Sequence, residues 1–255
     1  MQIKITFLGT GTSAGVPIIA CNCDVCTSTN AFDKRLRSSI LIEDDTTRVV
    51  IDSGPDFRQQ LLREHIKTLD AVVFTHEHKD HIAGLDEVKS FNYLYNKKMP
   101  VYATKRVEEA LHREFYYIFS GEKYPGIPEV DMINFDNDAF KIGNLKFEPI
   151  DVLHYKMPVK GFKINNFAYI TDANFISETE KLKLKNLDVL VLNALRNEPH
   201  ISHFTLTEAI DLVNELQPKK AYFTHISHQL GLHDDITKLL PNNVELAVDG
   251  LQLII

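Results

Sequence analysis

The apolar and polar positions of this chain change period several times along its length. Ile3 to Leu8 alternates apolar with polar residues and predicts a strand, broken at Gly9-Thr10-Gly11-Thr12-Ser13-Ala14-Gly15. Ser39 to Glu43 and Arg48 to Asp52 read as two strands around the turn Asp44-Asp45-Thr46. After Pro55, the residues Phe57, Leu61, Leu62 and Ile66 recur at helical spacing. Ala71-Val72-Val73-Phe74 is short enough and apolar enough for a buried strand, and a helix is predicted from about Gly84 to Leu94. Further strands are expected at Pro100 to Ala103, Leu145 to Val152, Phe167 to Thr171, Val189 to Leu192 and Ala221 to Thr224. Thr205-x-x-Glu208 reads as a capping box. It opens a helix through Ala209, Ile210, Leu212, Val213 and Leu216 that Pro218 stops.

Strand and helix signals alternate along the chain, which is read as a single domain over 1–255. Residues 96–135 are the least regular stretch, with Phe115, Tyr116, Tyr117, Phe119 and Tyr124 before Pro125-Gly126-Ile127-Pro128. They are expected to form an insertion that caps a substrate or makes a subunit contact; ordinary packing of a helix is the competing reading. No run approaches the roughly 18 apolar residues of a membrane span. The stretch Met1 to Leu8 is too short for a signal sequence, so a soluble, cytoplasmic protein is expected. The net charge of -7 gives no general pull toward nucleic acid. Lys34, Arg35 and Arg37 form a local basic patch, read as a solvated loop.

All three cysteines fall in Cys21-x-Cys23-x-x-Cys26. Neighbours this close make poor disulfides, and three thiolates on a tight loop suit a tetrahedral zinc that needs one further ligand. A second cluster is denser. His76, His78, Asp80 and His81 occupy four of six positions after a buried strand. In extended chain, His76 and His78 share a side and can bind one ion. A turn into helix at 80–81 would face Asp80 and His81 toward a second. His154, Asp172 and His225 each follow a predicted strand. Phe74-Thr75-His76, Ile170-Thr171-Asp172 and Phe223-Thr224-His225 all run from apolar strand into Thr and then a possible ligand, with Val50-Ile51-Asp52 as a partial echo. Strands ending this way can gather their ligands along one sheet edge.

The run His76-x-His78-x-Asp80-His81, with Asp52-Ser53-Gly54 upstream and His154, Asp172 and His225 downstream, resembles the metallo-β-lactamase superfamily. Leu8-Gly9-Thr10-Gly11, Gly15-Val16-Pro17, the cysteine cluster and Thr224-His225-Ile226-Ser227-His228-Gln229 are similar, more narrowly, to the PhnP-type phosphoribosyl cyclic phosphodiesterases. The resemblance implies an α+β fold, a four-layer αββα sandwich with the site at one edge of two packed sheets. It implies that His76, His78 and His154 hold one ion, that Asp80, His81 and His225 hold the other, and that Asp172 bridges them. Asp52 would hold the histidine loop in place, and His228 would complete a structural zinc with Cys21, Cys23 and Cys26. A homodimer is also implied.

In such a site two divalent ions about 4 Å apart, Zn, Mn or Fe, lower the pKa of a bridging water and supply hydroxide at neutral pH. His203, just before the Thr205 helix, matches the family's general acid, with His200 as the alternative; Asp80 is expected to be essential for turnover. The expectation is therefore a metal-dependent phosphodiesterase for a small, cyclic phosphodiester. A tRNA 3′-processing-type endonuclease shares the histidine run and the late Thr-His-Ile-Ser motif, but the net charge and the lack of an obvious basic arm disfavour a nucleic-acid partner. An inactive zinc-stabilised binding module is the reading from another class, opposed by the complete ligand set.

Overall fold

A computed structural model describes residues 2–121 and 124–255. Met1 and two positions of the 96–135 segment lie outside the described residues. Two sheets form the centre. The first contains β1 (Lys4–Gly9), β2 (Ser39–Glu43), β3 (Arg48–Ile51), β4 (Ala71–Val73), β5 (Met99–Ala103), β6 (Val130–Asn134) and β15 (Gln252–Ile254), in the order β15-β1-β2-β3-β4-β5-β6. The second contains β7 (Phe140–Ile142), β8 (Leu145–His154), β9 (Met157–Ile164), β10 (Phe167–Tyr169), β11 (Phe175–Ile176), β12 (Val189–Asn193), β13 (Lys220–Thr224) and β14 (Val244–Leu246). Its order is β11-β8-β9-β10-β12-β13-β14, with β7 beside β8. Half of each sheet is parallel: β3 through β6 in the first, and β10, β12, β13 and β14 in the second.

The alternation read in the sequence is an alternation between two cores, because both faces of these strands are buried. In the first sheet Ile40, Ile42, Val49, Ile51 and Val73 meet Phe147, Phe162, Tyr169 and Val191 of the second. Their neighbours Leu41, Val50 and Val72 face outward onto α2 (Phe57–Arg63), α4 (Lys89–Tyr95) and α5 (Lys105–Glu114), through Phe57, Phe91, Val107 and Leu111. Leu190, Leu192 and Phe223 of the second sheet pack instead on Leu206, Ala209, Leu212, Val213 and Leu216 of α8 (Leu206–Leu216). The result is the four-layer αββα sandwich. The shorter helices are α1 (Asp24–Thr27), α3 (Lys79–Ile82), α6 (Tyr116–Phe119), α7 (Glu178–Lys183) and α9 (His233–Thr237). Among the described residues no helix is long and apolar enough to cross a membrane.

The Thr205 capping box is formed as expected: the Glu208 N–H donates to Thr205 Oγ1, and the Glu208 carboxylate accepts from Thr205 N at 2.8 Å. The helix ends at Gln217, before Pro218. Residues 96–135 carry β5 and β6, which pair in parallel with each other, and β5 with β4. Two expectations are corrected, on the Gly84 helix and on Arg35. The helix expected from Gly84 begins instead as a 3-10 turn, Leu85–Val88, before α4. Arg35 is not part of a solvated patch. It is buried, and its guanidinium donates to Thr10 Oγ1 at 2.8 Å and to His233 Nδ1 at 3.2 Å. That tie fastens the Gly9–Gly15 loop to the C-terminal part of the chain.

Candidate metal centre

The strand-end candidates do converge. β3 delivers Asp52, β4 runs through Phe74 and Thr75 into His76, β8 ends in His154, β10 leads to Asp172, and β13 leads to His225. All lie at the carboxyl ends of strands, where an open parallel arrangement leaves a crevice. His78 is extended and α3 turns Asp80 and His81 back toward the same place.

His81 Nε2 lies 3.1 Å from Asp80 Oδ2 and 3.2 Å from Asp172 Oδ2, and His225 Nδ1 lies 3.2 Å from the same Asp172 oxygen. Neither nitrogen makes a hydrogen bond, although both are buried. Atoms about 2.1 Å from a common ion sit roughly 3.0 to 3.4 Å apart in octahedral or tetrahedral arrangements. The spacing without hydrogen-bond alignment is therefore that of ligands facing one cation. His76 Nε2 and His78 Nδ1 are 3.1 Å apart, and their rings lie 5.9 and 5.1 Å from that of His154.

Hydrogen bonds fix which ring nitrogen faces the centre. Asp52, wholly buried, accepts from His81 Nδ1 at 2.7 Å and from Thr75 Oγ1 at 2.8 Å. Because that hydroxyl donates to Asp52, it accepts from His76 Nδ1 at 2.9 Å, which leaves Nε2 the unprotonated nitrogen, 3.1 Å from His78 Nδ1. His154 Nδ1 donates to the Ser202 carbonyl at 2.8 Å, so its Nε2 is likewise free.

The charges agree with this arrangement. Burial opposes a charge on His81, but Asp80, Asp172 and Asp52 outweigh it and raise its pKa well above the ordinary value. Burial also acts against the Asp172 carboxylate, yet His225 and His81 hold it well below the usual range. For His76, burial and then the His81 charge keep the ring neutral, and burial does the same for His78 and His225. Neutral imidazole and ionised carboxylate are the forms that bind metal, so a cation entering between Asp80 and Asp172 would take the place of the His81 proton.

A second cluster forms 205 residues apart in sequence. Cys21, Cys23, Cys26 and His228 place their ligand atoms within 4.8 Å of one another, with His228 Nδ1 at 3.2 Å from Cys23 Sγ and 3.5 Å from Cys21 Sγ. The three cysteines are free. His228, with the Cys26 backbone, draws the Cys23 thiol down to about 6, whereas burial pushes Cys26 up to about 11. A thiolate and a resisting thiol side by side are what a cation would level, and the donor set suits zinc.

Residues 47–226 match the beta-lactamase superfamily domain. The chain belongs to that superfamily. Within it the chain is PhnP-like: a solved diphosphatase of the PhnP family is 41% identical, with a TM-score of 0.94 over 100% of this chain and 98% of that one. An octanoyltransferase of Porphyromonas gingivalis is 37% identical over 256 residues, covering 99% of this chain and 52% of that protein. The chain thus spans about half the length of that relative. Human short-form tRNase Z, 16% identical with a TM-score of 0.72 over 98% of each chain, shares the fold. This superfamily fold implies divalent metal ions, and the converging side chains fit them.

The tight groupings differ in one respect from the expected division of ligands. Asp80, His81, Asp172 and His225 cluster together, but His154 and Asp172 share their other cluster with His203 rather than with His76 and His78. His203 lies over the centre, its ring 4.4 Å from His154 and 4.9 Å from His225, with Nδ1 3.9 Å from Asp172 Oδ1. Burial and then His225 push it down to about 2. His200 stands further out, its ring 5.1 Å from His203 and its Nδ1 accepting from Ser202 N. Sequence reasoning passed over Thr75, Thr171 and Ser202 as site residues. The first two had a signal, the Thr that precedes each strand-end ligand; Thr171 Oγ1 donates to Asp172 Oδ2 at 2.7 Å. Ser202 acts through its backbone carbonyl, which no residue type reveals.

Proposed function

We propose that this chain is a metal-dependent phosphodiesterase acting on a small, compact phosphodiester, with cyclic diesters as the first class to test. One observation carries the reading: His81, His225, Asp80 and Asp172 bring ligand atoms to about the spacing of a shared coordination sphere without bonding one another. His76, His78 and His154 would hold one ion, Asp80, His81 and His225 the other, with Asp172 between them. Zn, Mn or Fe bound there would supply Lewis-acid charge and acidify a water at neutral pH. Cys21, Cys23, Cys26 and His228 would hold a structural zinc.

The protein's own groups do the rest. Asp52 and Thr75 orient His81 and His76, and Ser202 orients His154. Asp80 and Asp172 keep the centre anionic enough to retain two cations while leaving the phosphate face open. His203, rather than His200, would give a proton to the departing oxygen, a role supported by its ring lying 4.4 Å from that of His154 and 4.9 Å from that of His225. The anionic substrate brings the negative charge that a buried imidazolium needs, offsetting the burial that otherwise keeps this ring neutral. The relative's diphosphatase activity fits the same class. A phosphorus in a diphosphate diester, like that in a phosphodiester, carries two bridging oxygens and one negative charge.

A hydrolysis screen tests the proposal, with each metal added separately. It would compare bis(p-nitrophenyl) phosphate, 2′,3′-cyclic nucleotides, ribose cyclic phosphates, thioesters and lactams. Turnover of the phosphodiesters that Asp80→Ala abolishes is expected. Activity confined to thioesters or lactams would overturn the assignment.

A further inference from the structure

A cavity of about 880 Å³ opens between the two sheets, large enough for a small-molecule ligand. Its lining includes Thr75 and Leu153, the residues immediately before His76 and His154. The Lys160 N–H donates to the Thr75 carbonyl across it at 3.1 Å, and the Arg106 guanidinium at its edge binds Glu77, between the two histidines, at 2.5 Å. The cavity therefore begins where the histidine site ends, and a substrate whose phosphoryl group sat at the metal centre would have its remaining part here.

The walls are apolar and flat: Phe135, Pro158 and Phe175 join Leu153. The rim is polar and mixed, with the amides of Asn134 and Asn137 beside Asp136 and Asp151. Every cation in the lining already has an acidic partner. Lys160, itself buried, donates to Asp151 at 2.7 Å and to Asn137 at 2.5 Å, with Asp136 at 3.6 Å. Arg106 is held by Glu77, and Lys105 by Glu108 at 2.8 Å. A second phosphate or a free carboxylate would find no unpaired positive charge. Asn137 Oδ1 already accepts from Lys160 and Asn134 donates to the Ala103 carbonyl, so a hydrocarbon chain would fill the walls but leave the Asn137 amide N–H groups without an acceptor. A flat ring with apolar faces and both donors and acceptors on its edge satisfies both.

We propose, building on the phosphodiesterase reading, that this cavity holds a nucleobase, and that the substrate is a nucleoside-bearing phosphoester. Base stacking on an aromatic side chain is worth roughly tenfold in binding. Phe175 is the wall residue to change, because it is half-exposed on the two-residue edge strand β11 and its replacement leaves the core intact.

The test compares two esters that release the same p-nitrophenolate, thymidine 5′-(p-nitrophenyl) phosphate and methyl p-nitrophenyl phosphate, on the metal-loaded protein. The kcat/KM ratio should favour the thymidine ester by about tenfold, chiefly through KM. Phe175→Tyr should keep that ratio, while Phe175→Leu and the rim variant Asn137→Ala should lower it. A ratio near one for the unaltered protein overturns the inference, as does a ratio that Phe175→Leu preserves while an octyl ester is preferred to both. Calorimetry separates this from failure of the phosphodiesterase reading. If neither ester is cleaved, thymidine 5′-phosphate should still bind about tenfold tighter than inorganic phosphate, and Phe175→Leu should remove the difference. Equal binding of the two overturns the inference.

Discussion

Asp52→Asn probes how much of the metal centre is held from behind. Asp52 touches no expected substrate position, and its φ of 65° lies in the left-handed region, which Asn adopts more readily than most residues. The backbone is therefore kept and the change is confined to one oxygen. Asp52 Oδ1 accepts from Thr75 N at 2.9 Å, and Oδ2 accepts from Thr75 Oγ1 and His81 Nδ1. In either orientation the new amide nitrogen faces a buried N–H, so at least one donor loses its acceptor. Leaving such a donor unpaired costs about 1–3 kcal/mol, and the His81 bond also loses its charge assistance. A total of about 2–4 kcal/mol corresponds to a fall in Tm of roughly 5–15 °C for a chain of this size. Replacing a group that orients a metal-bound histidine typically weakens the metal by about 10–100-fold. The assay is chelator competition followed by metal analysis, with thermal melts of the same samples. A variant that keeps its metal within about threefold of the parent affinity, and melts within about 2 °C, would refute the view that Asp52 sets the His81 ring.

Four further outcomes follow from named contacts. His203→Asn should slow phosphodiesters with alkoxide leaving groups by about 10²–10⁴-fold while sparing p-nitrophenyl esters, whose leaving group needs no proton; an equal loss on both would place the residue elsewhere in the mechanism. His200→Asn should show no such split. Cys23→Ala should remove one zinc per chain and lower Tm before it lowers the occupancy of the histidine centre, as read by metal analysis of partly heated samples; parallel loss of all metal would contradict two separate sites. Burial, with the nearby Arg35 charge, holds the His233 ring below its ordinary pKa, so the unfolded chain takes up this proton first as pH falls. Its contribution is present above about pH 6.5 and lost below it, and His233→Gln should flatten the fall in Tm between pH 7 and 5.

What the sequence made legible was set by how local the cause was. The Thr205–Glu208 box, the strand-end threonines and the dense run His76 to His81 are patterns within a few residues, and each marks the element it was expected to mark. The sandwich was harder. Val49, Val50 and Ile51 are apolar on both sides because each faces a different core, so period alone gives a buried strand without saying which layers cover it. β9 was missed because Met157 to Ile164 places Lys160 and Lys163 among apolar residues. Lys160 is buried through Asp151 and Asn137, partners whose proximity only the fold creates. Arg35 misled for the same reason: a basic residue on a loop reads as solvated until Thr10, Ala247 and His233, remote in sequence, close over it.

The backbone at the strand ends explains why so many ligands can meet at all. Asp52, Asp172 and His225 have φ of 65°, 53° and 55°, a conformation that ordinary side chains enter at a cost of about 1 kcal/mol or more each. A left-handed residue at the end of a parallel strand turns the chain sharply, so the side chain at the turn faces the crevice instead of continuing the alternation between cores. The surroundings enforce each turn. Asp52 N donates to Val73 O; Ala173 is gripped at both backbone polar atoms by the Asn193 amide; Ile226 N donates to Thr10 O while Thr12 N donates to Ile226 O. Glycine would relieve the strain at any of the three positions, yet it would delete the carboxylate or imidazole that the turn exists to present. The strain and the site are therefore one feature: the Gly9–Gly15 loop and Asn193, which touch no candidate substrate position, hold two ligands in orientations that the strands alone would not give.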